Sequence, residues 1–282
     1  MKYNETRSWS IPWLSTPDIC GVFISYAETL WIGDSLTRHS ILALYMLLTE
    51  NYRTGGYPIY PSLPETIYNR CNCDGQFSEH FDCRDYQAGE VNLQHPLKKG
   101  LCPFDEHFRG FHFNAGSSSV NHTKPLLPYL CSAEDRLRMV YLQGGAHFNS
   151  NADLFFREYI HPTIEEIIRI VRTCAHPISF KIRMIISGIG ACDNFLQQKY
   201  PHQNTKAVIA YNARLKELVK MNFPTLPIVM IDFLKVTERA IADGRTSDGY
   251  HFLSDVNLIK VMSILNIMEQ MAVDKSFNVS FT

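Results

Sequence analysis

The chain has 282 residues, of which 45% are hydrophobic and 20% charged, with a formal net charge of -1. It is long enough to bury a full core, and it has no long basic run, which argues against nucleic-acid or anionic-membrane binding driven by charge. No stretch reaches the roughly 18 uninterrupted apolar residues of a membrane span.

In chain order, the first ten residues are polar and charged, with no apolar signal-peptide core. Thr29-Leu30-Trp31-Ile32 reads as a short strand ending at Gly33, and residues 40–49 read as a buried helix. Residues 51–130 break this rhythm with prolines, glycines and half of the eight cysteines, so a long insertion clamped by disulfides is expected there. Residues 138–142 form a second strand. A helical pattern follows over 151–173 with an interruption near Pro162. Strands at 182–186 and 228–231 flank a helix over 205–221. A last helix spans 254–273, with Ser254 as its expected N-cap. Strands apolar throughout and separated by helices imply a parallel sheet covered on both faces, hence the α/β class.

The cysteines are Cys20, Cys71, Cys73, Cys83, Cys102, Cys131, Cys174 and Cys192. Three N-glycosylation sequons begin at Asn4, Asn121 and Asn278. An even cysteine count together with the sequons favours the secretory lumen (Golgi or ER) or the extracellular space, with the chain a fragment of a longer precursor that carries the signal; the alternative is a cytosolic chain with free thiols. The set Cys71, Cys73, His80 and Cys83 could also be read as a zinc site. Its spacing suits paired ligands poorly, so disulfides are preferred and no metal is expected.

Two short motifs carry chemistry. Gly33-Asp34-Ser35-Leu36 lies where a strand passes into a helix, so the Ser35 hydroxyl would meet free backbone N–H groups and the positive end of a helix dipole. Its plainer reading is Ser35 as a helix cap. Asp248-Gly249-Tyr250-His251 precedes the last helix. On one helical turn, Asp248 could orient the His251 imidazole, leaving the other ring nitrogen to take a proton from Ser35. Its plainer reading is a loop aspartate beside a surface histidine. Together the motifs supply a nucleophile, a base and an orienting carboxylate.

On these residues the chain resembles the SGNH or GDSL hydrolase superfamily, over roughly residues 20–50 and 135–273. The run Gly33-Asp34-Ser35-Leu36-Thr37-Arg38-His39, followed by a long cysteine-bearing insertion, looks most like the PC-esterase and sugar O-acetyltransferase branches. The resemblance implies one hydrolase-like domain over 1–282, built as a three-layer α/β/α sandwich on a flavodoxin-like parallel sheet. It implies Ser35 as nucleophile, His251 as base and Asp248 as orienter. Its oxyanion hole would use the N–H of Ser35, the N–H of Gly116 in Asn114-Ala115-Gly116, and a donor side chain after the third strand. There Gly144-Gly145-Ala146-His147-Phe148-Asn149 puts His147 where the family has asparagine, with Asn149 two residues on.

The activity so implied is an esterase or acyltransferase on O-acyl, chiefly O-acetyl, groups of a glycan, needing no cofactor. The substrate is a small-molecule or glycan ester; the oligomeric state is not readable. The alternative is an inactive module of the same fold that binds glycan. His107, His112 and His122, near Phe104, Phe108, Phe111 and Phe113, could line a sugar groove or pack the insertion. Arg38 and His39 could touch substrate or lie in solvent.

Overall fold

The computed structural model describes residues 11–52, 65–71, 102, 108–112, 127–131, 136–174, 182–193 and 200–274. In chain order the elements are α1 (Thr16–Ile24), β1 (Tyr26–Gly33), α2 (Ser35–Thr49), α3 (Glu65–Cys71), β2 (Phe108–His112), β3 (Leu137–Gln143), α4 (Ala152–Phe155), α5 (His161–Thr173), β4 (Ile182–Ser187), α6 (Thr205–Asn222), β5 (Ile228–Ile231), α7 (Leu234–Ala242) and α8 (Ser254–Val273). Short 3-10 turns occupy Leu127–Cys131 and Ala146–Phe148, and a π-helical turn, Phe156–Ile160, joins α4 to α5.

The five strands form one all-parallel sheet in the order β2-β1-β3-β4-β5. This is the flavodoxin-like order, in which the chain reverses its direction of winding beside β1. The side-chain period of two sorts each central strand onto both faces. Leu30, Ile32, Val140, Leu142, Met184 and Ile186 pack on the face covered by α4, α5 and α6. Trp31, Met139, Tyr141 and Ile185 pack on the face covered by α1, α2 and α8. The fold is therefore a three-layer α/β/α sandwich: the covered parallel sheet expected from the sequence pattern, in the layering that the family resemblance implies.

The buried helix expected over 40–49 begins at Ser35, and α2 is buried from Leu36 to Leu48, which takes Arg38 and His39 into the core as well. By length and composition α8 is apolar enough to cross a membrane, but here it is a core helix whose Val261, Met262, Ile264 and Leu265 are fully buried.

Several expectations change. The stretch 51–130 is not all irregular: Phe108–His112 pairs with β1 as the edge strand, and Phe108 meets Trp31 and Phe23 edge-on in the core. Its local sequence, Phe-Arg-Gly-Phe-His, alternates too weakly to announce a strand, so the pairing with β1 decides it. Ser254 is not the cap of α8. That position falls to Leu253, and Ser254 is the first helical residue. The break in the 151–173 helix is the π turn at Phe156–Ile160, one residue short of Pro162, and the proline sits comfortably in the first turn of α5.

Cys20 bonds to Cys102 and Cys131 to Cys174, so the cysteine-rich stretch is tied to α1 and to the end of α5. These bridges suit an oxidising environment. Cys71 is also disulfide-bonded, which removes it from any zinc set. Pairing is not complete, because Cys192 is a buried free thiol; burial pushes its pKa up to about 12, and it is inert as a nucleophile. Cys73, His80, Cys83, Phe104, His107, Phe113, Gly116, His122 and all three sequons lie outside the described residues.

Candidate active site

Ser35 opens α2 at the carboxyl end of β1, between β2 and β3, where parallel α/β sheets bind ligands. The cap of this helix is Asp34, whose Oδ1 accepts the Leu36 N–H at 3.0 Å. The capping work that Ser35 might have done thus falls to its neighbour, and the Ser35 hydroxyl is left for other contacts. Thr37 in the same turn donates to Gln143 Oε1 at the end of β3, 2.8 Å away, pinning the helix start to the adjacent strand. Gly33 is required by space. A Cβ there would collide with the Thr37 side chain and come within 2.6 Å of the Gln143 carbonyl oxygen.

Asp34 is fully buried and its Oδ2 has no hydrogen-bond partner. Burial pushes its carboxyl pKa up, opposed by His147, the Leu36 N–H, His251 and Lys260. Lys260 of α8 is also buried, between the rings of Phe233 and Phe252, with its Nζ 3.4 Å from Asn257 Oδ1. Desolvation lowers its pKa to about 8, and the Asp34 charge works the other way. Lys260 lines a cavity of about 10 Å³, the size of one water, with Ser40, Tyr141, Gln143 and Ser187.

Asp248 and His251 lie in the connection between α7 and α8, in a bend rather than a helical turn. The expected helical geometry is replaced by a loop folded around the carboxylate. Asp248 Oδ1 accepts the N–H groups of Tyr250 (2.9 Å) and His251 (2.6 Å), while Oδ2 meets His251 Nδ1 at 2.6 Å. Gly249 has φ of +87°, a conformation glycine adopts without strain. A Cβ at Gly249 would also strike the Asp193 carboxylate. The loop is closed by the Thr246–Phe252 bridge and is held to the segment after β4 by the Asp193 N–H donating to the Gly249 carbonyl at 3.0 Å.

Across the gap, His251 Nε2 lies 2.7 Å from Ser35 Oγ. With the Asp248 carboxylate accepting the Nδ1 proton, Nε2 carries the lone pair and Ser35 donates to it. The residues named from the two motifs, 216 positions apart in sequence, thus form one continuous hydrogen-bonded relay. The His251 side chain is 16% exposed and that of Asp248 10%, so this end of the relay is shielded, and Ser35 is half-buried.

His147 and Asn149 lie on the exposed turn just past β3, after Gly145 (φ +118°), and Asn149 is itself left-handed with φ of +53°. Arg38 and His39 are neither solvent-exposed nor at the surface; they are 2% and 1% exposed. No group of three or more metal-ligating side chains occurs among the described residues.

Sequence reading missed the supporting cast: Thr37, Gln143, Asp193 and Lys260. The run Gly188-Ile189-Gly190-Ala191-Cys192-Asp193 directly after β4 was the one available signal, since two glycines at a strand end mark close backbone approach.

No protein-family model matches the sequence, and a comparison with curated proteins finds no match. Among solved structures, the chain is similar to Est24, a carbohydrate acetylesterase from Sinorhizobium meliloti, at 12% identity and a TM-score of 0.40, covering 86% of this chain and 99% of that one. It is also similar to a member of the lipolytic protein G-D-S-L family from Veillonella parvula, at 13% identity and a TM-score of 0.39, covering 85% and 96%.

Proposed function

We propose that the chain is a serine-dependent esterase or acyltransferase acting on O-acyl groups of a glycan, chiefly O-acetyl groups. The observation that carries this reading is the relay Ser35 Oγ–His251 Nε2–Asp248, at 2.7 and 2.6 Å. In it Ser35 attacks the acyl carbonyl while its proton passes to His251 Nε2, and Asp248 stabilises the resulting imidazolium. The tetrahedral oxyanion is bound by the Ser35 N–H, which as a first-turn donor has no intrahelical acceptor, together with His147 or Asn149 and the Gly116 N–H. Collapse expels the sugar alkoxide, which takes the proton from His251 and leaves an acyl-enzyme on Ser35. Water or a second sugar hydroxyl then takes the acyl group by the reverse sequence. The glycan part of the reading rests on the resemblance around residues 33–39, and its setting on the disulfides.

The test is mass spectrometry of the intact chain after mixing with acetylated glycans or a generic acetyl ester, beside the Ser35→Ala variant. An acetyl adduct on Ser35 that is absent from the variant is expected. Full acyl release by Ser35→Ala would overturn the assignment. A chain that forms no adduct and resists serine-directed fluorophosphonates would instead be a glycan-binding module.

A further inference from the structure

His39 follows Ser35 by four residues on α2, so both occupy one helix face. The serine hydroxyl reaches the edge of the His251 ring, and one turn further along His39 meets that ring itself. The two ring centroids are 4.9 Å apart with planes inclined by 52°, within the range of favourable aromatic pairs. His39 is 1% exposed, so its own position is fixed by packing. The next residue back, Arg38, places Nη2 3.4 Å from His39 Nε2. A guanidinium only donates, so His39 Nε2 is the acceptor and the ring carries its proton on Nδ1.

His251 needs such a neighbour because its own backbone lies in a bend and not in a regular element. His251 Nδ1 donates to Asp248 and Nε2 accepts from Ser35, and these two bonds hold the ring nitrogens. Rings packed against the imidazole oppose its tilting: Tyr250 of the same loop lies edge-on at 5.8 Å, and His39, from the core, lies at 4.9 Å.

We infer that His39 is a positioning residue for the catalytic base: its ring holds the His251 imidazole in the plane that aims Nε2 at Ser35. This rests on the proposed esterase reading. It makes the aromatic ring, and not the hydrogen bond with Arg38, the feature that counts. His39→Phe keeps the ring and drops the acceptor, whereas His39→Gln keeps an acceptor and drops the ring. Both avoid the cavity that His39→Ala would open.

The experiment follows the rate at which a fluorophosphonate probe labels Ser35 in the full chain, with Ser35→Ala as blank and near-ultraviolet circular dichroism to match folds. Wild type and His39→Phe should label within about threefold of one another, and His39→Gln should be slower by about tenfold or more, since small misplacements of a base cost one to two decades. The loss should fall on the maximal labelling rate, with the half-saturating probe concentration unchanged. Equal rates for wild type and His39→Gln would overturn the inference while leaving the esterase reading standing, as would a His39→Phe rate as low as that of His39→Gln. A wild-type chain that takes no label at Ser35 would overturn both.

Discussion

Ser35 stands on regular structure: a strand fully buried along its length, an aspartate cap, and a helix buried from its second residue onward. Asp248 and His251 stand on a bend, with a left-handed glycine at its centre and side chains bonding to backbone where a helix or sheet would supply the ladder. The place of Ser35, the proposed nucleophile, is therefore set by packing of the whole core, whereas that of His251, the proposed base, is set by a few local hydrogen bonds and by what the loop leans on. Such loops belong to the less stable parts of a fold. Damage to the base half should cost activity before it costs the fold; damage to the nucleophile half should cost both.

The largest effects should come from the relay. Asp248→Asn removes the carboxylate that sets the His251 tautomer and two backbone acceptor bonds at one oxygen become weaker, so kcat should fall by about 10³–10⁴ with an unchanged core. Acetyl-ester turnover and far-ultraviolet circular dichroism measure the two sides of that statement.

Gly249→Ala should come next. It forces an L side chain into φ of +87° and against the Asp193 carboxylate, at a cost of about 1–3 kcal/mol confined to the loop. Hydrogen exchange should show the 246–252 backbone opening while strand amides stay protected. The matching change on the other half, Gly33→Ala, meets backbone as well as side chain and should lower the global melting temperature.

Asp34 separates capping from charge. Asp34→Ala loses the cap on Leu36 N–H and should cost about 1 kcal/mol or more. Asp34→Asn keeps an acceptor and removes a buried carboxylate with an unpaired oxygen, so chemical denaturation should find it at least as stable as wild type at pH 7.

The smallest effect is a pH dependence. Lys260 has a folded pKa of about 8, below its ordinary value of 10.5. Above pH 8 the unfolded chain therefore binds more protons at this site, and stability should rise from pH 8 toward 9.5; below pH 8 the cost of burying the ammonium is felt in full. Lys260→Met should flatten that rise in urea unfolding measured at pH 7.5 and 9.5. A Lys260→Met curve that rises as steeply as that of wild type would break the assignment.

Much of the nucleophile half was legible in the sequence because its signals are local. An apolar run, a Gly-Asp-Ser junction and a leucine-rich segment mark strand, turn and helix through propensity and burial alone. Even so, the cap went to Asp34 and not to Ser35, a choice between adjacent polar side chains that only the backbone angle at the junction makes. The base half was legible as a motif but not as a conformation. Spacing of three suggested a helical turn, and the structure wraps a bend around the carboxylate instead, since Gly249 opens a backbone region that spacing cannot report. Thr37 and Gln143 were invisible, as nothing in their neighbours specifies what they touch, and Asp193 was marked only by the two glycines that precede it.

By itself the sequence determined the alternation of buried strands and helices, the α/β class that follows from it, and the residue types able to form a nucleophile, a base and an orienter. Those are matters of composition and period, written within windows of a few residues. The tertiary structure decided that Phe108–His112 is a strand, that Cys20 meets Cys102 and Cys131 meets Cys174, that Cys192 stays free, and that His39 lies against His251. Each of these depends on which segments the sheet order brings side by side, and contacts between distant segments leave no trace in local pattern.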